Sequence, residues 1–273
     1  MAKNVLVTGD SSGIGAATCL LLANSGWRVF GASRRQAKYD GWTHLTMDVT
    51  DEQSVAAAVL QVTDAAGRLD AVVHCAGQSF VGSIEETSIA ESTNHFDLNV
   101  FGTVRVLRAV LPIMRRQRAG KIIVVGSIGG LIGLPFHGYY SAGKFALDGL
   151  IESLRPEIAP FGVEASIVHP GDINTEIGEN RVATEHVEPT SDYRAAFERT
   201  VAFYAQAERD GSSPEFVAHH IENLLRRKRL PVRSIAGKAL EKLGVIGKRL
   251  MTSRHFEAVM ALTYGPGATP KKE

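Results

Sequence analysis

The sequence predicts an α/β fold, a doubly wound parallel sheet in a single domain with a helical covering region and a C-terminal helical extension. Three observations carry this reading. Short β-branched runs alternate with longer helical patterns as far as Pro170, the rhythm of a parallel sheet with crossover helices. Most of those runs are apolar almost throughout, as parallel strands buried on both faces require. Neither a break rich in Pro, Gly or Ser nor a repeat at solenoid spacing interrupts the alternation.

In chain order, the strand candidates are 4–8, 28–32, 43–47, 70–74, 121–126 and 163–168, with helical patterns at 13–25, 51–66, 91–117 and 140–159. The first helix ends at Gly26, a residue suited to the left-handed position after a helix. The second opens Thr50-Asp51-Glu52, with acids placed to favour the helix dipole. After Pro170-Gly171 the rhythm stops. Residues 172–190 are polar and irregular, 192–209 and 213–229 read as helices, and 231–235 as a short strand. Helical patterns follow near 237–250 and 254–263, and the tail from Gly265-Pro266-Gly267 is expected to fray. Residues 1–273 thus form one domain, with 172–212 covering the substrate and 237–273 as the extension.

Composition narrows the function classes. Apolar residues are 44% and charged residues 22%, the balance of a soluble globular protein. Thirty Lys and Arg stand against 29 Asp and Glu, which argues against nucleic-acid binding. Two cysteines, Cys19 and Cys75, exclude a disulfide framework and a four-cysteine zinc module. No apolar run approaches the roughly 18–20 residues that span a bilayer. A strand-like run begins almost at Met1, where a signal peptide would lie, so a cytoplasmic protein is expected.

Strand one runs into Thr8-Gly9-Asp10-Ser11-Ser12-Gly13-Ile14-Gly15 and then directly into a helix. Glycines here allow a tight turn and close backbone approach to a pyrophosphate at the helix N-terminus, which predicts dinucleotide binding. The same turn matches the G-x-S-x-G nucleophile elbow at Ser11, so an α/β-hydrolase is the rival. That elbow normally follows several strands, and this one follows the first.

Ligands of open α/β sheets sit at the carboxyl ends of the strands. Those ends are the glycine turn, Ser33-Arg34-Arg35, Asp48-Val49, Cys75-Ala76-Gly77, Ser127 and Pro170-Gly171. Asp48 could accept from an adenine amino group. NAD-selective sites place an acid about 20 residues past the glycines. Here Ser33-Arg34-Arg35 occupies that place, and the next acid is Asp40. A guanidinium binds a 2′-phosphate, so NADP(H) is the expected cofactor.

Tyr140-Ser141-Ala142-Gly143-Lys144 opens the helix after the fifth strand. Residues four apart share a helix face, so phenol and ammonium lie together, and the cation should favour the phenolate. Ser127, at a strand end, can bind the same substrate oxygen.

With these motifs assembled, residues 3–175 resemble the short-chain dehydrogenase/reductase family and its Rossmann-type fold, and the C-terminal length beyond the usual family end resembles the branch of 17β-hydroxysteroid and retinol dehydrogenases. The resemblance rests on the Thr8–Gly15 turn, Asp48, Ala76-Gly77, Asn99, Ser127, Tyr140 with Lys144, and Pro170-Gly171 with Thr175. It implies Tyr140 as general acid/base, Lys144 as its electrostatic partner and ribose ligand, and Ser127 as carbonyl polariser. It further implies Asn99 as holder of a proton-relay water, and Ile173 and Thr175 at the nicotinamide carboxamide. One departure stands out: the family's Asn-Asn-Ala-Gly is His74-Cys75-Ala76-Gly77 here, so the bracing of this strand end must differ.

Beyond the motifs, Tyr193, Phe197, Val201 and Tyr204 recur at helical spacing and suggest an apolar lid, with Phe80, Leu131, Leu134 and Phe136 as further walls. Histidines, including the adjacent His219 and His220, show no metal-binding spacing. Residues 226–254 hold ten Lys or Arg against Glu241 alone. Such a segment can lie on a membrane surface, but a solvated helical face is the favoured reading. The expectation is an NADP-dependent alcohol dehydrogenase or carbonyl reductase acting on a small-molecule substrate, bulky and apolar. A cofactor-binding sensor or scaffold is the alternative, and a homodimer or homotetramer is implied by resemblance.

Overall fold

The computed structural model describes residues 2–36, 41–175, 181–184 and 191–264. Asp40, the tail from Gly265 expected to fray, and 176–180 and 185–190 lie outside the described residues.

Seven parallel strands form the main sheet: β1 (Asn4–Thr8), β2 (Arg28–Ser33), β3 (Thr43–Thr46), β4 (Ala71–His74), β6 (Gly120–Val125), β7 (Val163–Pro170) and β9 (Arg233–Ala236). Their order is β3-β2-β1-β4-β6-β7-β9. The chain therefore builds outward from β1, then crosses back to start the other half at β4, leaving a switch point between those two strands. Val5 pairs with Val29 on one side and Ala71 on the other.

Alternate side chains of each strand enter opposite layers. Leu6, Ile122 and Val124 join Val59, Val110 and Ile151 beneath α2 (Glu52–Ala66), α4 (Gly102–Gln117) and α5 (Gly138–Ile158). Val5, Val7 and Ile123 join Leu22, Val217 and Ile221 beneath α1 (Gly13–Asn24) and α7 (Pro214–Arg226). Two-sided burial explains why the strands read as continuous apolar runs. The remaining helices are α3 (Ile89–Phe96), α6 (Arg194–Arg209), α8 (Ala239–Leu250) and α9 (Ser253–Tyr264).

Two features depart from the sequence reading. The helix expected over 91–117 is interrupted by a π turn, Asp97–Phe101, between α3 and α4. In addition, β5 (Phe80–Val81) pairs in parallel with β8 (Val182–Ala183) in a separate ladder too short to leave a pattern. Among the described residues no helix is long and apolar enough to cross a membrane.

Candidate active site

The carboxyl ends of β1, β2, β4, β6 and β7 surround one cleft of about 480 Å³. Gly9, Ser11, Ser12, Gly13, Ile14, Gly15, Ser33, Arg34, Arg35, Asp48, Val49, Cys75, Ala76, Gly77, Ser127, Tyr140, Lys144, Pro170, Gly171, Ile173 and Thr175 all line it. Asn99 is the exception among the catalytic and cofactor-binding residues expected from sequence, because it is buried behind Gly77.

The turn after β1 is shaped by close approach. A Cβ on Gly15 would lie 2.0 Å from the Gly9 carbonyl oxygen, and Gly9 itself has φ +76°, a conformation L side chains avoid. At the start of α1, Ser12 makes no side-chain capping bond and the first turn carries no acid. By contrast, Asp51 caps α2 and Ser88 with Glu91 forms a capping box on α3. The first N–H groups of α1 are therefore left for an anion in the cleft.

Asp10, which the sequence reading passed over, organises the neighbouring strand ends. Its buried carboxylate accepts from Ser33 Oγ at 2.7 Å and Trp42 Nε1 at 2.9 Å, and meets His44 Nδ1 at 2.8 Å. Ser33 is thus tied at the root of the exposed Arg34-Arg35 pair. Asp48 is less free than expected: its Oδ1 accepts from the Thr50 backbone N–H and hydroxyl at 2.9 and 2.7 Å. Burial opposes its charge, but those bonds and the nearby Arg34 and Arg105 outweigh burial and hold the carboxyl below its ordinary value.

His74 supplies the bracing that the altered motif demanded. Thr8 Oγ1 accepts the Ala76 N–H at 3.2 Å and shares a hydrogen bond with His74 Nδ1 at 2.8 Å. Burial, reinforced by Lys144, drops the His74 pKa to about 3 and keeps the ring neutral. Just past the same strand end, the Asn99 side chain on the π turn accepts from Gln78 N–H at 3.1 Å and donates to His95 Nδ1 and the His95 carbonyl, each at 3.1 Å. Its amide protons are committed to protein. The π turn makes this possible by widening the helix where Asn99 turns inward.

Tyr140 and Lys144 share the first turns of α5, with Lys144 Nζ 5.7 Å from the Tyr140 ring centre and donating to the Val125 carbonyl at 3.2 Å. Burial lowers the Lys144 pKa to about 8. For Tyr140, burial raises the pKa, and the Ser127 hydrogen bond pulls the other way. The direction is opposite to the one expected from the neighbouring cation, because desolvation of the phenol at the cleft wall is the larger effect. Ser127 is held from behind: its carbonyl accepts from His169 Nδ1 at 2.8 Å, His169 Nε2 faces Asp148 at 3.2 Å, and Asp148 pairs with Arg233 at 2.9 Å.

Beyond Tyr140 the cleft widens between Leu134, His137, Tyr204, Glu208, Asp172 and Tyr264. His137 packs edge-on against Tyr204 at 4.3 Å and Tyr140 at 5.4 Å, and burial brings its pKa to about 3. Glu208 is clasped by Arg181. Asp172 is raised to about 6, first by burial and then by Glu241 and Glu208. Of the apolar stripe on α6, Tyr204 reaches the cleft, its hydroxyl donating to the Pro135 carbonyl at 2.9 Å. Tyr193 and Phe197 instead pack on Phe136. Phe80 and Leu131 are not walls: Phe80 is buried in β5 against His95 and Tyr139, and the Leu131 carbonyl accepts from Lys248. Apolar residues of a core and of a cleft look alike in sequence. His137 and His169 were missed because their partners lie far away in the chain, whereas His95 stands only four residues before Asn99.

A model of the short chain dehydrogenase family matches residues 3–186. The 3-ketodihydrosphingosine reductase of Bacteroides thetaiotaomicron is 35% identical over 95% of this chain and 97% of its own length. The 17-beta-hydroxysteroid dehydrogenase type 1 of Homo sapiens is 37% identical, covering 85% of this chain and 77% of its own. Among solved structures, a short-chain dehydrogenase from Streptomyces avermitilis matches with TM-score 0.80 at 31% identity, covering 96% of each chain. ElxO with NADP bound matches with TM-score 0.69 at 25% identity, covering 85% of this chain and 98% of its own.

Proposed function

The chain belongs to the short-chain dehydrogenase family, and from that premise we propose an NADP-dependent oxidoreductase that interconverts a secondary alcohol and a ketone, or an alcohol and an aldehyde, on a bulky apolar substrate. The observation that carries this reading is the convergence of Tyr140, Ser127 and Lys144 with the Arg34-Arg35 loop in one cleft. Family membership also removes the hydrolase reading of Ser11. The sensor or scaffold alternative has no use for the full Tyr, Ser, Lys and Asn set.

The residues present fit a nicotinamide dinucleotide. Gly77 at the cleft wall carries no side chain, because a Cβ there would lie 2.8 Å from Asn99 Oδ1 behind it, and α1 offers uncapped N–H groups nearby. Ser11, Ser12, Gly13, Ile14 and Gly15 would hold the pyrophosphate, and Ser33, Arg34 and Arg35 the 2′-phosphate. Asp48 and Val49 would border the adenine, with Cys75, Ala76 and Gly77 along the cofactor's flank. Tyr140 and Lys144 would take the nicotinamide ribose, and Pro170, Gly171, Ile173 and Thr175 the carboxamide. When bound, this cofactor supplies the hydride chemistry.

The chain's own part is proton handling at the substrate oxygen. Ser127 and Tyr140 both donate toward that oxygen and stabilise the charge that develops on it. Tyr140 gives up its proton to an alkoxide in reduction and takes it from an alcohol in oxidation. Lys144, a cation softened by burial, stabilises the transient phenolate. Asn99 fixes the Gly77-Gln78 backbone, and its oxygen keeps a lone pair that can hold a relay water. The neutral His137, Tyr204 and Leu134 exclude water from this end, while Asp172 and Glu208 suit a polar group beside the carbonyl. A cytoplasmic homodimer or homotetramer through α4 and α5 accords with the exposed Phe101, Phe145 and Leu150 at those helices.

The test is Tyr140→Phe, followed by loss of NADPH absorbance against steroid-sized, retinoid and long-chain ketones and small polar aldehydes. Turnover should fall by ~10²–10⁴-fold while the NADPH dissociation constant stays within a fewfold. Substantial residual reductase activity overturns the mechanism, and a higher kcat/KM for the small aldehydes overturns the substrate class.

A further inference from the structure

α8 and α9 contribute little to the core: Val245 is the buried side chain of α8, and α9 buries none. On α8, Leu240, Leu243, Ile246 and Leu250 recur every three or four residues and so form one stripe. They are 80%, 60%, 49% and 81% exposed, so the stripe faces away from the side that Val245 anchors. Leu262 and Val259 are exposed apolar side chains on α9 as well.

Cations border this surface. Lys242 and Arg249 flank the stripe and are exposed, as are Lys238 and Arg254 beyond the two ends of α8. The one acid on α8, Glu241, is turned inward, where it accepts from the Asp172 and Lys238 backbone N–H groups. On α9 the one exposed acid is Glu257. A contiguous apolar stripe with a basic rim matches the acyl boundary and the anionic headgroups of a lipid leaflet at once. A second copy of the same face would set Lys242 and Arg249 against like charges.

The position of the surface connects it to the cleft. α9 ends at Tyr264, which lines the cleft and packs against Phe203 at 5.0 Å and Tyr204 at 5.5 Å. The favoured sequence reading, a solvated basic face, did not place four large aliphatic side chains outward on one line.

We propose that α8 and α9 form a docking surface for an anionic lipid bilayer, which sets the cleft beside the membrane so that an apolar substrate enters from lipid. The docking stands on the surface alone, and the delivery of substrate rests on the function proposed above. The experiment uses the full chain, co-sedimented with vesicles of phosphatidylcholine alone or mixed with phosphatidylserine, at low and high salt. Binding should favour the anionic vesicles and weaken with salt. Leu240→Gln with Leu243→Gln and Leu250→Gln should reduce it at least tenfold, at roughly 1.4 kcal/mol per tenfold. Lys242→Glu with Arg249→Glu should abolish the preference for phosphatidylserine. NADPH oxidation with a water-soluble ketone should be unchanged in both variants. Equal binding to neutral and anionic vesicles, or none to either, overturns the proposal. A dimer that the leucine variant dissolves, without vesicle binding, assigns the face to a second copy and overturns it as well. Vesicle binding without ketone turnover would instead count against the proposed function and leave the docking surface standing.

Discussion

The half of the molecule that holds the reacting groups and the half that covers them are built differently. Ser127, Tyr140, Lys144 and Asn99 sit on or beside strands and helices anchored in the core, and three of them are tied by a bond from behind: Ser127 through His169, Lys144 to Val125, Asn99 to His95 and Gln78. In the covering half, α6 buries Thr200 and Tyr204, α8 buries Val245 and α9 nothing. Ser127, Tyr140 and Lys144 are thus placed by the sheet and α5, whereas the covering helices are held by no more than two buried side chains each.

The largest expected effect that sharpens this contrast concerns Lys144, deep in the rigid half. Its pKa falls from 10.5 to about 8 on folding, so the unfolded chain binds more protons between those values and stability must rise with pH across that window. Below about pH 8 the burial cost of the ammonium is present in full. Lys144→Met should thus stabilise the cofactor-free protein at neutral pH by about 3 kcal/mol, an advantage that shrinks as pH climbs through the window. Denaturant titrations of both proteins across pH measure it, and a constant difference would show that Lys144 is not desolvated.

A smaller effect is expected at Arg34 and Arg35, at the edge of that half. Charged hydrogen bonds contribute roughly 1.5–3 kcal/mol, so Arg34→Asp with Arg35→Ala should weaken NADPH about ten- to a hundredfold. NADH should bind as well as before or better. An unchanged ratio of the two dissociation constants would make the pair a solvated loop. The smallest effect belongs to the covering half. Tyr204→Ala removes the ring against His137 and the bond to Pro135, and should raise KM for bulky ketones severalfold with kcat and NADPH affinity little changed. A kcat loss as deep as that of Tyr140→Phe would erase the distinction between the halves.

Legibility in the sequence follows the same division. Continuous apolar runs and the glycine turn announce the sheet and its switch point, and strand ends then place nearly the whole cleft lining. What escaped notice has physical reasons. The π turn uses residues that suit an α-helix equally well, and β5 and β8 are two residues each. Phe80 reads as a wall because burial in a core and burial beside a ligand leave the same trace. His74 showed that the brace had changed but not that Thr8 would share it, since that contact spans 66 positions. Asp10 was read as part of a turn, although its three partners lie on the next two strands or at their ends.

The π turn at Asp97–Phe101 has a consequence for chain length. One residue of an α-helix corresponds to about 100° of rotation, and the turn inserts one residue between α3 and α4. The core face of α4, with Val106, Val110 and Met114, and the inward setting of Asn99 are clocked to one another by that extra residue. Deleting Asp97, Leu98, Val100 or Phe101 would close the helix into regular form and leave one of the two facing the wrong way. The length of this stretch is thus held by the core and the cleft together.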